Sequence, residues 1–144
     1  MPIQRDNPYT NFNFVVDIGA GDDLGFSEVD LPGGEIEVIE YREGSDRVST
    51  ARKLPGLAKY ANVALKRGVT GRLDLFDWWK AIRDGVPERR NVTITLLDEQ
   101  RNPVQSWRLR NAWPTKLDYS TLQGRGNEVV IETLELAHEG FELE

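Results

Sequence analysis

Few side chains in this chain could do chemistry, and their spacing narrows the choice. Asp17, Asp22 and Asp23 are close enough in sequence to gather a calcium ion, yet the EF-hand spacing is absent and turns favour Asp in any case. Gly19, Gly21 and Gly25 look like a phosphate-binding loop only superficially. Their spacing is not GxGxxG, and a strand pattern rather than a helix follows them, so a glycine-rich turn is the better reading. Two carboxylate pairs, Glu132 with Glu135 and Glu28 with Asp30, have the residue types of a glycosidase acid and base. No pocket is legible that would separate their pKa values, and Glu28 and Asp30 share a strand face with Phe26, as in a charged wall. No nucleophile elbow accompanies the Ser and Thr residues or His138.

Composition closes further routes. The chain has no cysteine, which removes disulfides, thiolate metal sites and thiol chemistry and leaves His138 as the one strong nitrogen ligand. No catalytic residue, no metal and no cofactor is therefore expected, and the chain does not read as an enzyme. A net charge of −6 with pI near 4.9 argues against nucleic-acid recognition, which needs a basic face. There is neither a long apolar run nor a signal-like start, so no membrane span is expected and folding belongs in a cytoplasm. With 144 residues, 39% of them hydrophobic, a single domain over 1–144 with one core is expected.

The elements that must carry these residues follow from hydrophobic period. From Leu57 to Arg67 the sequence alternates as one long strand, with Ala61, Val63 and Leu65 towards the core and Tyr60, Asn62, Ala64 and Lys66 away from it. After GVTG the period becomes helical. Leu75, Trp78, Trp79 and Ile82 form an apolar stripe, Asp74 and Asp77 suit the first turn, Lys80 and Arg83 the last, and Gly85 with Pro87 ends it. All four stripe residues are expected in the core, with Trp79→Ala costing about 3–5 kcal/mol. The remaining tryptophans, Trp107 and Trp113, could stack bases or sugars, but core or interface is the better reading of all four.

Residues 1–10 read as an arm lying over something, another subunit being one choice. Strands are expected over Asn11–Ile18, with Phe12, Phe14, Val16 and Ile18 on one face, and over Phe26–Leu31 and Ile36–Tyr41, these last two joined as a hairpin. The polar segment Arg42–Pro55 reads as an extended loop, too long for an ordinary connection. Further strands are expected over Asn91–Asp98, Val104–Ala112, Thr115–Tyr119 and Glu128–Glu139. The sum is mainly β with one α-helix: an antiparallel β-sandwich or split barrel flanked by that helix.

Several separated stretches then resemble one family. KLPGLAKYANVALKRG (Lys53 to Gly68), WRLRNAWPTK (Trp107 to Lys116) and GNEVVIETLELAHEGFE (Gly126 to Glu142), with FSEVDL, YREG and the Trp-bearing helix, are similar to the inner tail-tube proteins of contractile phages and phage-like contractile injection systems. The resemblance spans nearly the whole chain. It implies hexameric rings stacked into a hollow tube inside a sheath, a conduit for effector protein or DNA on contraction. It also implies sheath, baseplate or tube-initiator, and terminator or length-measuring partners, with assembly in the bacterial cytoplasm into a phage or injection particle. The alternative within the family is a baseplate or initiator protein forming a single ring. The 42–55 segment, with Arg42, Glu43, Asp46, Arg47, Arg52 and Lys53, is the expected subunit-interface arm. Glu28, Asp30, Glu35, Glu37, Asn62 and Lys66 are the lumen candidates, and six copies at −6 each come to about −36 per ring.

Overall fold

A computed structural model describes residues 3–19 and 23–144; Met1 and Pro2 of the arm, and Ala20, Gly21 and Asp22 of the glycine-rich turn and calcium candidate, lie outside them. The described residues form ten strands and one helix: β1 (Phe14–Asp17), β2 (Asp23–Leu24), β3 (Glu28–Asp30), β4 (Gly34–Tyr41), β5 (Arg52–Tyr60), β6 (Val63–Gly68), α1 (Asp74–Arg83), β7 (Arg90–Leu97), β8 (Pro103–Tyr119), β9 (Ile131–Ala137) and β10 (Phe141–Leu143). Every ladder is antiparallel. The expected mainly-β sandwich with a flanking helix is what forms.

One strand builds the sandwich. The first half of β8 pairs with β7 on one side and β10 on the other, and its second half pairs with β9, so the path runs β2-β1-β7-β8-β9-β6-β3. Extra residues near Asn111 and at Thr115 break its register and bend it from one layer into the other. Asn111 takes φ 49°, which Asn tolerates, and its amide donates to Glu139 Oε2 at 2.6 Å. Thr115–Tyr119 is thus no separate strand but the far half of a continuous one.

Alternation explains the core. Val63 and Leu65 of β6, Leu134 and Leu136 of β9, Val92 and Ile94 of β7, and Leu109 of β8 turn inward from the two layers. The helix closes one side with Leu75 and Trp78, whose indole N–H donates to the Glu88 carbonyl at 2.8 Å. Ile82 packs against the same core. Trp79, expected beside them, is only half-buried, resting on Phe76 and under the Arg83 guanidinium. Successive helical residues are rotated by about 100°, so Trp78 and its neighbour cannot both face the sheet centre. Gly85, at φ +90°, ends the helix as expected.

Other expectations are corrected. Phe12 is exposed and precedes β1. Phe26–Leu31 and Ile36–Tyr41 do not form a hairpin: β3 pairs with β6 while β4 pairs with β5. Val29 has to lie beside Leu65 against the core, whereas β4 has no core face, so a β3–β4 hairpin would strip Val29 of its cover. Leu57–Arg67 is likewise two strands. The Ala61 N–H donates to the Gly33 carbonyl at 2.9 Å and its own carbonyl meets His138 Nε2 at 2.8 Å, so Ala61 is an exposed joint, not core. The loop expected over Arg42–Pro55 shrinks to residues 42–51, because Arg52 already pairs with Tyr41. The last expected strand, Glu128–Glu139, starts at Ile131; the chain then turns at Gly140 (φ +141°) into the unexpected β10. The arm lies over this chain's own body, with the Ile3 N–H donating to the Val104 carbonyl at 3.0 Å and Arg5 paired with Glu99 at 2.8 Å.

Candidate assembly surfaces

Glu132 points inward and Glu135 outward, as their adjacent-parity positions on β9 require, so they do not share a site. Among the described residues no group of three His, Asp or Glu side chains is arranged to hold a metal ion, and no helix is long and apolar enough to cross a membrane.

The structure gathers instead a polar wall. In the layer β3-β6-β9-β8, ladder register puts Glu28, Lys66, Thr133 and Asp118 in one outward row and Asp30, Ala64, Glu135 and Lys116 in the next. Lys66 Nζ lies 3.0 Å from Glu28 and Lys116 Nζ 3.1 Å from Asp118. Hydrogen bonding to those carboxylates raises both ammonium pKa values. Asn62 donates to Glu135 at 3.0 Å. Of the lumen candidates, Glu28, Asp30, Asn62 and Lys66 therefore share this wall. Glu35 and Glu37 do not; they lie on β4, with Glu37 paired to Lys59 at 2.5 Å.

Both edges of this wall are open. Among the described residues β3 pairs only with β6, and the second half of β8 only with β9. The wall has four antiparallel strands, an even number, so its two edge strands run in opposite directions. A rotated copy would bring one edge against the other as an antiparallel pair.

Behind the wall lies an ion triad that the hydrophobic pattern alone did not single out. Arg67 and Glu132 are almost fully buried, and Arg67 bonds both Glu132 and Asp74 at the start of α1, with a further Nη1–Asp74 contact at 3.2 Å. Burial works against the Arg67 charge, but the two carboxylates prevail and its pKa is raised; burial likewise opposes the Asp74 charge, yet Arg67 holds its carboxyl below the usual range. The signal was present in the parity of Val63, Leu65 and Arg67 and of Glu132, Leu134 and Leu136.

The second surface is the β4–β5 ribbon, which among the described residues pairs with no other strand. Ile36, Val38, Ile39, Leu54 and Leu57 on it are exposed, a concentration unlike the scattered apolar residues of an ordinary surface. Its root is held by Tyr60, whose ring meets Phe141 edge-on at 5.7 Å and His138 at 5.9 Å. Its tip has its own order. Arg42 donates to the Val48 and Asp46 carbonyls at 3.1 and 3.0 Å, Asp46 accepts from the Glu43 N–H at 3.0 Å, and Arg52 lies 3.4 Å from Asp46. Arg47 and Lys53 make no ion pair with the described residues.

Residues 10–142 match the family described as T4-like virus tail tube protein gp19. A chain in the cryo-EM structure of the anti-feeding prophage (AFP) baseplate is 25% identical, with 97% of each chain covered and a TM-score of 0.87. One in the sheath-tube complex of the extracellular contractile injection system PVC, in the extended state, is 26% identical, with 95% of this chain and 91% of that one covered and a TM-score of 0.85. Hcp1 from Flavobacterium johnsoniae, 16% identical with 92% and 94% covered and a TM-score of 0.57, shares the fold. No curated protein sequence matches the chain.

Proposed function

Because the chain belongs to the T4-like virus tail tube protein family, whose members are structural proteins, we propose that six copies close into a ring and that rings stack into the hollow inner tube of a contractile particle. The observation that carries this is the four-stranded wall whose two open edges run antiparallel. Unpaired edges are a liability in a free monomer, and ring closure removes them without new secondary structure. The lateral contact closes on itself, whereas the axial contact repeats without end, so tube length needs a terminator or length-measuring partner.

In this reading the outward rows face the lumen. They hold four carboxylates against two ammonium groups, most of them paired within the wall, and no large apolar side chain. Such a surface is hydrated and weakly acidic, suited to letting an effector protein or DNA slide past without sticking. The exposed apolar residues of the ribbon are covered by the adjacent ring, the sheath surrounds the tube, and a baseplate or initiator starts it. Assembly takes place in the bacterial cytoplasm, and the finished tube is part of a phage or injection particle.

Electron microscopy of the purified protein tests this. Hollow six-fold rings and stacked tubes are the expected result, and a monodisperse monomer at high concentration refutes it. Isolated rings that never stack would favour the single-ring baseplate role, a reading kept because one of the similar chains lies in a baseplate structure.

A further inference from the structure

Beneath β3 the sandwich is open. A groove of about 710 Å³ runs between β3 and the opposite layer, its floor made by Phe14, Ile94, Leu96 and Trp107 and its rim by Val29 and Asp30. Phe14, Val29 and Trp107 are only partly buried there although they pack on the core. The Thr10 hydroxyl, which also lines the groove, is buried and has no hydrogen-bond partner among the described residues. A core open to solvent along one strand, with an orphaned hydroxyl, is an incomplete core.

The complementary half is at the other edge of the same wall. Leu117 and Tyr119 lie on the inward face of β8, in the rows of Leu134 with Leu65 and of Glu132 with Arg67, yet Tyr119 is 54% exposed. They face inward at an edge that no further strand among the described residues covers. Face and charge together set the register. Among the described residues Asp30 makes no ion pair, and if Val29 opposes Leu117 of a second copy, antiparallel pairing puts Asp30 opposite that copy's Lys116. The same register sets Glu28 against Asp118, but each of these carboxylates is already held by a lysine of its own chain. Moving the copy by two residues one way leaves Asp30 against Asp118 with no opposite-charge pair to offset it, and moving it the other way sets Val29 against Thr115, which is exposed rather than turned to the core.

We propose that the groove under β3 is the socket for the second half of β8 of the neighbouring copy. Leu117 opposes Val29, Tyr119 enters over the groove, and Lys116 pairs with Asp30. The core of each subunit is then completed by the next one in the ring. This rests on the ring reading and adds the register and the residues.

The absence of native cysteine gives a clean test, since any disulfide must come from the introduced pair. Directly opposed residues in an antiparallel pair lie about 4.5–5.5 Å apart at Cα, within disulfide reach. Asp30→Cys combined with Lys116→Cys, assembled and then mildly oxidised, is expected to give a reducible ladder on a denaturing gel, with at least about tenfold more multimer than either single variant. In parallel, Asp30→Lys and Lys116→Asp should each reduce ring yield, and the two together should restore it. Rings by microscopy without a ladder and without charge-swap rescue overturn this socket and leave the ring reading standing. A protein that forms no rings overturns both.

Discussion

Replacing Arg67 by Met tests the account of the wall most directly. The substitution roughly preserves volume but leaves Glu132, whose side chain is 5% exposed, as a buried carboxylate without its cation. Breaking a buried pair on one side costs about 3–5 kcal/mol, because the remaining charge stays desolvated. With urea m-values of about 1–3 kcal/mol/M, the unfolding midpoint should fall by about 2 M. Tryptophan fluorescence in urea, for both proteins in the same oligomeric state by sedimentation, reads this. The sign with pH is also set. In the wild type, Asp74 has a depressed carboxyl, so its contribution is present above its ordinary pKa of 3.8 and is lost as pH falls through the folded value. In Arg67→Met that contribution is gone. The gap between the two proteins must therefore narrow as pH falls below 3.8 through the folded value of Asp74. Adding Glu132→Leu to Arg67→Met should recover most of the loss, since both partners are then apolar. A loss under about 0.5 kcal/mol that does not change with pH would mean that the triad behaves as a screened surface pair, refuting the reasoning.

Trp78→Ala should cost about 3–5 kcal/mol by thermal or urea unfolding, and Trp79→Ala distinctly less, because only the first is enclosed; equal losses would contradict that difference. Replacing residues 42–51 by a short turn should leave the subunit folded by circular dichroism but unable to stack into tubes under the microscope, since the ribbon tip makes its bonds within itself. Normal tubes from that variant would end the ribbon's role between rings. Glu99, held at about 2 by Arg5 from an ordinary 4.5, helps pin the arm above pH 4.5 and loses that hold as pH falls towards 2. The protection of the Ile3 amide, measured against its intrinsic exchange rate at the same pH, should therefore fall in acid, and should be low at neutral pH already in Arg5→Ala.

Much of the fold was legible because period is a local property. The change from alternation to a 3.6-residue stripe between Lys66 and Leu75 located a strand and the helix, and Gly85 with Pro87 marked its end. The same alternation ordered the faces of β6, β7 and β9. It also read straight through the Ala61 joint, because two strands of the same parity look like one when the sheet that each joins is unknown.

By itself the sequence determined which residues alternate, where the helix lies and which family the chain resembles. Tertiary structure decided the partners: β3 with β6 rather than β4, the ribbon standing apart, and Arg67 meeting Glu132 across 65 positions. Alternation specifies the face of a strand but not its neighbour, and the neighbour is set by long-range contacts that bury one face and leave another open. The open edges of the wall, from which assembly is argued, became visible only when those pairings were assigned.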